Sequence, residues 1–144
     1  MSPIFTLVYT SRSISPIGET LLKDILVVSR ANNLRDSITG FLTARQDYFL
    51  QLLEGPEQKV RELYSKIMAD RRHTQVTLQG EAFSETRLSP HWSMGLVECD
   101  PTQPSSEDLL TVFEMGRGGK SYQDASSLRA ILRMFSRHAR TLDI

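Results

Sequence analysis

The nine residues Asp47-Tyr48-Phe49-Leu50-Gln51-Leu52-Leu53-Glu54-Gly55 constrain this chain most. Aromatic and aliphatic side chains run almost unbroken to the breaker Gly55-Pro56, the pattern of a short strand. Alternation places Phe49, Gln51 and Leu53 on one face and Tyr48, Leu50 and Leu52 on the other. Both faces are largely apolar, so the strand belongs inside a sheet covered on both sides. Gln51 breaks the pattern. A buried amide needs partners for two donor hydrogens and a carbonyl oxygen. A polar group, from another side chain or from a ligand, must come down onto that face.

The flanking segments supply the rest of a sheet. Residues 4–10 read as a strand with Phe5, Leu7 and Tyr9 on one face and Thr6, Val8 and Thr10 on the other. A loop containing Ser15-Pro16-Ile17-Gly18 precedes a helix from Glu19 to Asn32 or Asn33. Its expected apolar stripe is Leu21, Leu22, Ile25 and Val28, continued by Ser29 and Asn32. Asn33 falls at the stripe's edge, where a helix end can turn left-handed. The helix therefore turns polar toward the core in its last turn. Residues 37–44 form a second strand, joined to the Gln51 strand as a hairpin. Pro56 and Glu57 then open a second helix, with Val60, Leu63 and Ile67 facing the core and Tyr64 at the margin. Residues 75–83 read as a fourth strand, and Trp92-Ser93-Met94-Gly95-Leu96-Val97 as a short fifth.

The order is βαββαββ, an α+β ferredoxin-like mixed sheet with two helices on one face. Beyond Pro101 to Pro104, residues 107–115 and 125–142 read as two amphipathic helices separated by Gly116-Arg117-Gly118-Gly119. The second carries Leu128, Ile131, Leu132 and Phe135 on its stripe. This pair is expected to cap the sheet face bearing Leu50 and Leu52.

Charge and motifs narrow the function classes. Seventeen basic and seventeen acidic residues cancel, which gives no electrostatic case for nucleic acid or an anionic membrane. A single cysteine, Cys99, rules out an intrachain disulfide, and no run approaches the roughly 20 apolar residues of a membrane span. A cytoplasmic protein is expected. Gly116-Arg117-Gly118-Gly119-Lys120-Ser121 imitates the end of a phosphate-binding loop, but position 114 is Glu where that loop needs Gly, and no strand precedes it. His73, His91 and His138 lack metal-ligand spacing with Cys99, so no metal site is expected.

The polar groups aimed at one sheet face are Tyr9, Ser29, Asn32 or Asn33, and Gln51. Each alone is more simply structural. Together they stand within Val8-Tyr9-Thr10-Ser11, Asn32-Asn33, Ile38-Thr39-Gly40-Phe41-Leu42, Phe49-Leu50-Gln51-Leu52-Leu53-Glu54-Gly55, Asp70-Arg71-Arg72-His73 and Trp92-Ser93-Met94. In this order and at these spacings, over residues 4–97, the chain resembles the BLUF family of blue-light sensors that bind a flavin. The resemblance implies a flavin-binding domain over residues 1–100 and a two-helix extension over 101–144, with no enzymatic output domain attached.

It also implies a site. A flavin, FAD most often and FMN or riboflavin alternatively, lies between the two helices. Asn33 bonds the ring edge with Asn32 close by, Ser29 is near the ring, and Phe49, Ile25 and Ile67 line it. Arg72 and His73 lie toward the polar edge or side chain of the cofactor. In the implied mechanism Tyr9 gives an electron and a proton through Gln51 to the photoexcited, non-covalently bound flavin. The Gln51 amide is left rotated or tautomerised, and absorption shifts to the red. The change leaves through the fifth strand, where Trp92 and Met94 share one face and can both approach Gln51. A partner protein receives it, and a homo-oligomer is expected. A small flavin-dependent reductase and a cofactor-free ferredoxin-like interaction module are the alternatives. No nicotinamide fingerprint or substrate base supports the first.

Overall fold

The computed structural model describes residues 3–89, 93–97, 104–122 and 125–138. In chain order they form β1 (Ile4–Ser13), α1 (Glu19–Arg35), β2 (Thr39–Arg45), β3 (Tyr48–Gly55), α2 (Glu57–Ala69), β4 (His73–Ser84), β5 (Gly95–Leu96), α3 (Pro104–Arg117) and α4 (Ala125–His138). The strands lie in the order β4-β1-β3-β2-β5. All neighbours are antiparallel except β2 and β5, so the sheet is mixed and of the expected ferredoxin-like kind. No helix among the described residues is long and apolar enough to cross a membrane.

β3 is the middle strand, and all eight of its residues are buried. Its two faces divide as alternation requires. Tyr48, Leu50 and Leu52 join Val8 and Phe41 beneath Leu109, Val112 and Phe113 of α3 and Leu128 and Leu132 of α4. Phe49 and Leu53 join Phe5, Leu7 and Tyr9 beneath Leu26 of α1 and Val60 of α2. Each fully buried leucine contributes about 1.5–3 kcal/mol, so β3 anchors both helical layers at once. Phe135 lies outside the described side chains, as do Trp92 and Cys99.

The first helix departs from expectation in phase and length. It continues to Arg35, and the Asp36 N–H closes it on the Asn32 carbonyl at 3.1 Å. The left-handed residue is Ser37, with φ 60°. Asn33 therefore sits inside the helix, 1% exposed, two turns beyond the buried Leu26 on the same side. Val28 is 58% exposed, because it points away from that line. Apolar residues at 21, 22 and 25–28 surround the helix, and only contact with the sheet selects Leu26. Elsewhere, β4 begins at His73 because Ser13 pairs with it. Among the described residues the fifth strand is Gly95 and Leu96, which pair with Phe41 and Leu42, and Trp92 lies outside them.

Two devices hold the frame around β3. Gly40 in β2 lies so near the neighbouring backbone that a Cβ would stand 1.9 Å from the Leu52 carbonyl oxygen. Glu54, fully buried, accepts from the N–H groups of Leu88 and Ser89 at 2.7 and 2.6 Å and from the Thr39 hydroxyl at 3.2 Å. Arg87 spans the same corner, donating to the Glu54 carbonyl at 3.1 Å and to the Ser37 carbonyl at 2.8 Å. One carboxylate thus fixes the chain that leads from β4 toward β5.

Gly40→Ala is expected to cost on the order of 3 kcal/mol, since backbone must move to admit the methyl group; urea unfolding measures it. Burial pushes the Glu54 carboxyl above its ordinary 4.5, against the downward pull of the two backbone N–H groups. A carboxyl raised in the folded state stabilises the fold when protonated, so stability falls as pH rises from 4.5 through the folded value. Glu54→Gln should remove that fall and cost about 1–2 kcal/mol for the lost acceptor. Unfolding curves at a series of pH values compare the two slopes.

Candidate functional site

A cleft opens between α1 and α2 above the face of β1, β3 and β2. It encloses about 590 Å³, part of it open to solvent. Leu21 and Ile25 of α1, Leu42 of β2, Phe49 of β3, and Leu63 and Ile67 of α2 form apolar walls. Tyr9, Ser29, Asn33, Gln51, Asp70, Arg72 and His73 supply the polar part of the lining. The helix spacing explains this mixture: Leu22, Leu26 and Ser29 lead along α1 to Asn33, so the helix brings an amide down at its C-terminal end.

At the floor, a hydrogen-bond chain crosses three elements. Tyr9 and Gln51 are register partners on β1 and β3. The Tyr9 hydroxyl donates to Gln51 Oε1. Gln51 Nε2 in turn points at Met94 Sδ, 3.3 Å away. Tyr9, Gln51 and Met94 are 4%, 5% and 1% exposed, so this chain is shielded from water. Burial holds the Tyr9 phenol far above its ordinary value, helped by Tyr64 and the Asp70 carboxylate and opposed by Arg72. The phenol therefore keeps its proton across the physiological range. Its ring is held by Tyr64, with centroids 5.5 Å apart, and by the edge of His73 at 6.3 Å.

Met94 precedes β5 and owes its place to α1. Asn33 Nδ2 donates to the Ser93 carbonyl at 2.8 Å, and Arg30 Nε to the Met94 carbonyl at 2.9 Å. The other end of the Asn33 amide, Oδ1, is buried and has no partner among the described residues. At the far end of the cleft, Arg72 forks onto Asp70 with contacts of 2.5 to 3.0 Å. Those bonds hold the Asp70 carboxyl below its ordinary range. His73 has both nitrogens engaged, Nδ1 with Ser11 Oγ at 2.9 Å and Nε2 with the Ile67 carbonyl at 2.6 Å. A carbonyl only accepts, so Nε2 carries a proton, and in the neutral ring Nδ1 receives the Ser11 hydroxyl hydrogen.

The cleft thus gathers Tyr9, Ile25, Ser29, Asn33, Phe49, Gln51, Ile67, Arg72 and His73. Asn32 is not in the lining; it is half-buried on the helix flank, and its carbonyl closes α1. Met94 stands against Gln51, and Trp92 lies outside the described residues. As site residues, sequence reasoning passed over Arg30 and Asp70, and it read Leu21, Leu42 and Leu63 only as packing residues of their elements. Arg30 could have been found three residues before Asn33, on an adjacent helical row. Asp70 could have been found two residues before Arg72, within reach of it.

This lining suits a flat heteroaromatic molecule with a polar edge. Ile25, Phe49, Leu63 and Ile67 offer surface to a plane, and Asn33 Oδ1, unpartnered among the described residues, can accept from an N–H. An isoalloxazine has such a plane and an edge of carbonyls and ring nitrogens, so the residues present fit a flavin.

Comparison with known proteins agrees with the geometry. The family model described as sensors of blue-light using FAD matches residues 4–95. Photoactivated adenylate cyclase subunit beta of Euglena gracilis is 35% identical over 109 residues, 74% of this chain. The chain spans only 13% of that relative's length. Among solved structures, the dark state of BlrB, a BLUF protein, superposes with a TM-score of 0.69 at 26% identity, covering 95% of this chain and 98% of BlrB. The photo-activated state of BlsA gives 0.76 at 24% identity, with 98% and 99% covered, and at that identity it speaks for the fold. With residues 4–95 matched, well over half its length, this chain belongs to the BLUF family of flavin-binding blue-light sensors.

Proposed function

We propose that this chain senses blue light through a switch made of Tyr9, Gln51 and Met94, with FAD seated in the cleft. The observation that carries the reading is the buried relay from Tyr9 to Gln51 Oε1 and from Gln51 Nε2 to Met94 Sδ. FAD is chosen because the family description names it, and the lining also suits FMN or riboflavin. Ile25, Phe49, Leu63 and Ile67 hold the ring plane, Asn33 and Ser29 meet its edge, and Arg72 lies toward the side chain. His73, saturated by protein partners, serves as wall.

When bound, the flavin supplies absorption of blue light and a transient demand for one electron and one proton. The protein's part is to offer both from the Tyr9 phenol and to take both back as the cycle closes. Tyr9 stays protonated because burial disfavours the phenolate. Its hydrogen bond points at Gln51 Oε1, so the proton moves along an existing contact. The amide that receives and releases it can settle differently. Rotated by half a turn, Gln51 turns Nε2 toward the Tyr9 oxygen and sets Oε1 against Met94 Sδ, acceptor facing acceptor. Met94 then loses its bond. Nothing in this cycle requires a covalent link to the protein.

The direct change is one hydrogen bond, worth on the order of 1 kcal/mol. That shifts a two-state balance by about fivefold, so a receiver must amplify it. We assign residues 1–100 to sensing and α3 and α4 to delivery. The receiver is a separate protein, reached from a homo-oligomer of this chain. Segment 93–97, pinned by Arg30 and Asn33, is the first part of the route.

Gln51→Leu should retain bound flavin, because the apolar walls are untouched, and lose the red shift; absorption spectra before and after blue illumination decide it. Tyr9→Phe should keep the ring contacts with Tyr64 and His73 and bind flavin, while the reversible photocycle disappears. Flash photolysis checks this, and an unchanged cycle would remove Tyr9 from its role.

A further inference from the structure

The sheet face opposite the cleft holds a second buried amide, Gln79. It is the residue left over where β4 bulges: Val8 pairs with Gly80, and the next residue, Tyr9, pairs with Leu78. An extra residue in one strand of an antiparallel pair re-aims its side chain. Gln79 is 1% exposed, and both ends of its amide are bonded. Nε2 donates to Thr10 Oγ1 at 3.0 Å and to the Lys120 carbonyl at 2.9 Å, while Oε1 accepts from the Tyr122 N–H at 2.8 Å. Beside it, the Leu78 carbonyl accepts from the Ser121 hydroxyl at 2.6 Å. Three consecutive residues of the α3–α4 connection are thus fastened to the two residues of β4 that lie against Tyr9.

Thr10 adds a second contact. A Cβ on Gly116 would stand 2.1 Å from Thr10 Oγ1, so the last turn of α3 rests on this hydroxyl. Tyr9 faces the cleft and Thr10 faces the helices, and one planar peptide unit joins them. A displacement of Tyr9 therefore moves Thr10. The Gln79 amide passes that movement on, because the side chain bonded to Thr10 is also bonded to Lys120 and Tyr122.

We propose that Thr10 and Gln79 are positioning residues that carry the light-induced change at Tyr9 through β1 to the α3–α4 connection, a route separate from Met94. The proposal rests on the blue-light reading above. It places the delivery point at residues 116–122, where α3 ends.

The test uses the full chain with flavin bound. Visible spectra and hydrogen–deuterium exchange over residues 116–122 are recorded in darkness and under continuous blue light. In the unsubstituted protein, illumination should speed exchange at the Tyr122 N–H about fivefold, the factor equivalent to one ordinary hydrogen bond. Thr10→Val, which keeps the branched shape without the hydroxyl, should retain the spectral red shift and lose the light-induced difference at 116–122. In Gln79→Met the connection should exchange in darkness as fast as the unsubstituted protein does in light. A red shift with identical dark and lit exchange at 116–122, or a difference that survives in Thr10→Val, overturns the relay and leaves photosensing standing. Absence of any red shift in the unsubstituted holoprotein overturns both.

Discussion

The hydrogen bond from the Tyr9 hydroxyl to Gln51 Oε1 forms within a strand pair where burial is nearly complete. A side-chain amide left without partners there would cost about 1–3 kcal/mol. That is a large share of the 5–15 kcal/mol that typically separates a folded domain from its unfolded chain. Much of the surrounding structure answers this requirement. Tyr9 satisfies the oxygen from the neighbouring strand. Met94 offers its sulfur to the nitrogen, yet among the described residues its segment carries a strand of two residues. That segment needs outside support, and Arg30 and Asn33 provide it through the carbonyls of Met94 and Ser93. The polar end of α1 thus follows from the amide at the centre of β3.

The partners of Gln51 differ in strength, and the difference matters. A phenol donating to an amide oxygen is an ordinary hydrogen bond, whereas a thioether is a weak acceptor. The Met94 side is the cheaper one to break. The frame around it is firm: Glu54 collects three donors at the end of the middle strand, and Gly40 lets two backbones approach too closely for any side chain. A rigid scaffold with one inexpensive contact confines a small energy change to one place. A softer scaffold would spread the same change over many residues.

What could be read from the sequence was what depends on local periodicity. The period-two alternation of β1 and β3 sorted Phe5, Leu7, Tyr9, Phe49, Gln51 and Leu53 onto one face, and the structure places them there. Helix phase was less legible. α1 has apolar residues on nearly every side, so its sequence does not say which of Leu26 and Val28 faces the sheet. That ambiguity put Asn32 on the stripe and Asn33 at its edge, the reverse of the arrangement observed. Arg30 was missed because its acceptor is a backbone carbonyl 64 residues away, and nothing in local sequence marks such a partner. Nothing in local sequence marked Glu54 as a buried acceptor, since its donors lie across a loop whose return only the fold reveals. The bulge at Gln79 was equally invisible, since a bulge is a property of two strands and not of one.

The two faces of the sheet are usually treated as independent, because side chains alternate and seldom meet through the backbone. Here β1 carries Tyr9 on one face and Thr10 on the other, and both are bonded to buried amides. β3 has the same duality, with Gln51 toward the cleft and Leu50 and Leu52 beneath α3 and α4. Coupling between two sites is reciprocal in free energy. If the state of the Gln51 amide biases how α3 and α4 are held, then whatever grips those helices biases the amide by the same amount. A receiver that binds one arrangement of the helices more tightly must therefore also shift the resting balance at Gln51. Under the proposed reading, the resting balance at Gln51 would then be set jointly by the cleft and by whatever grips α3 and α4.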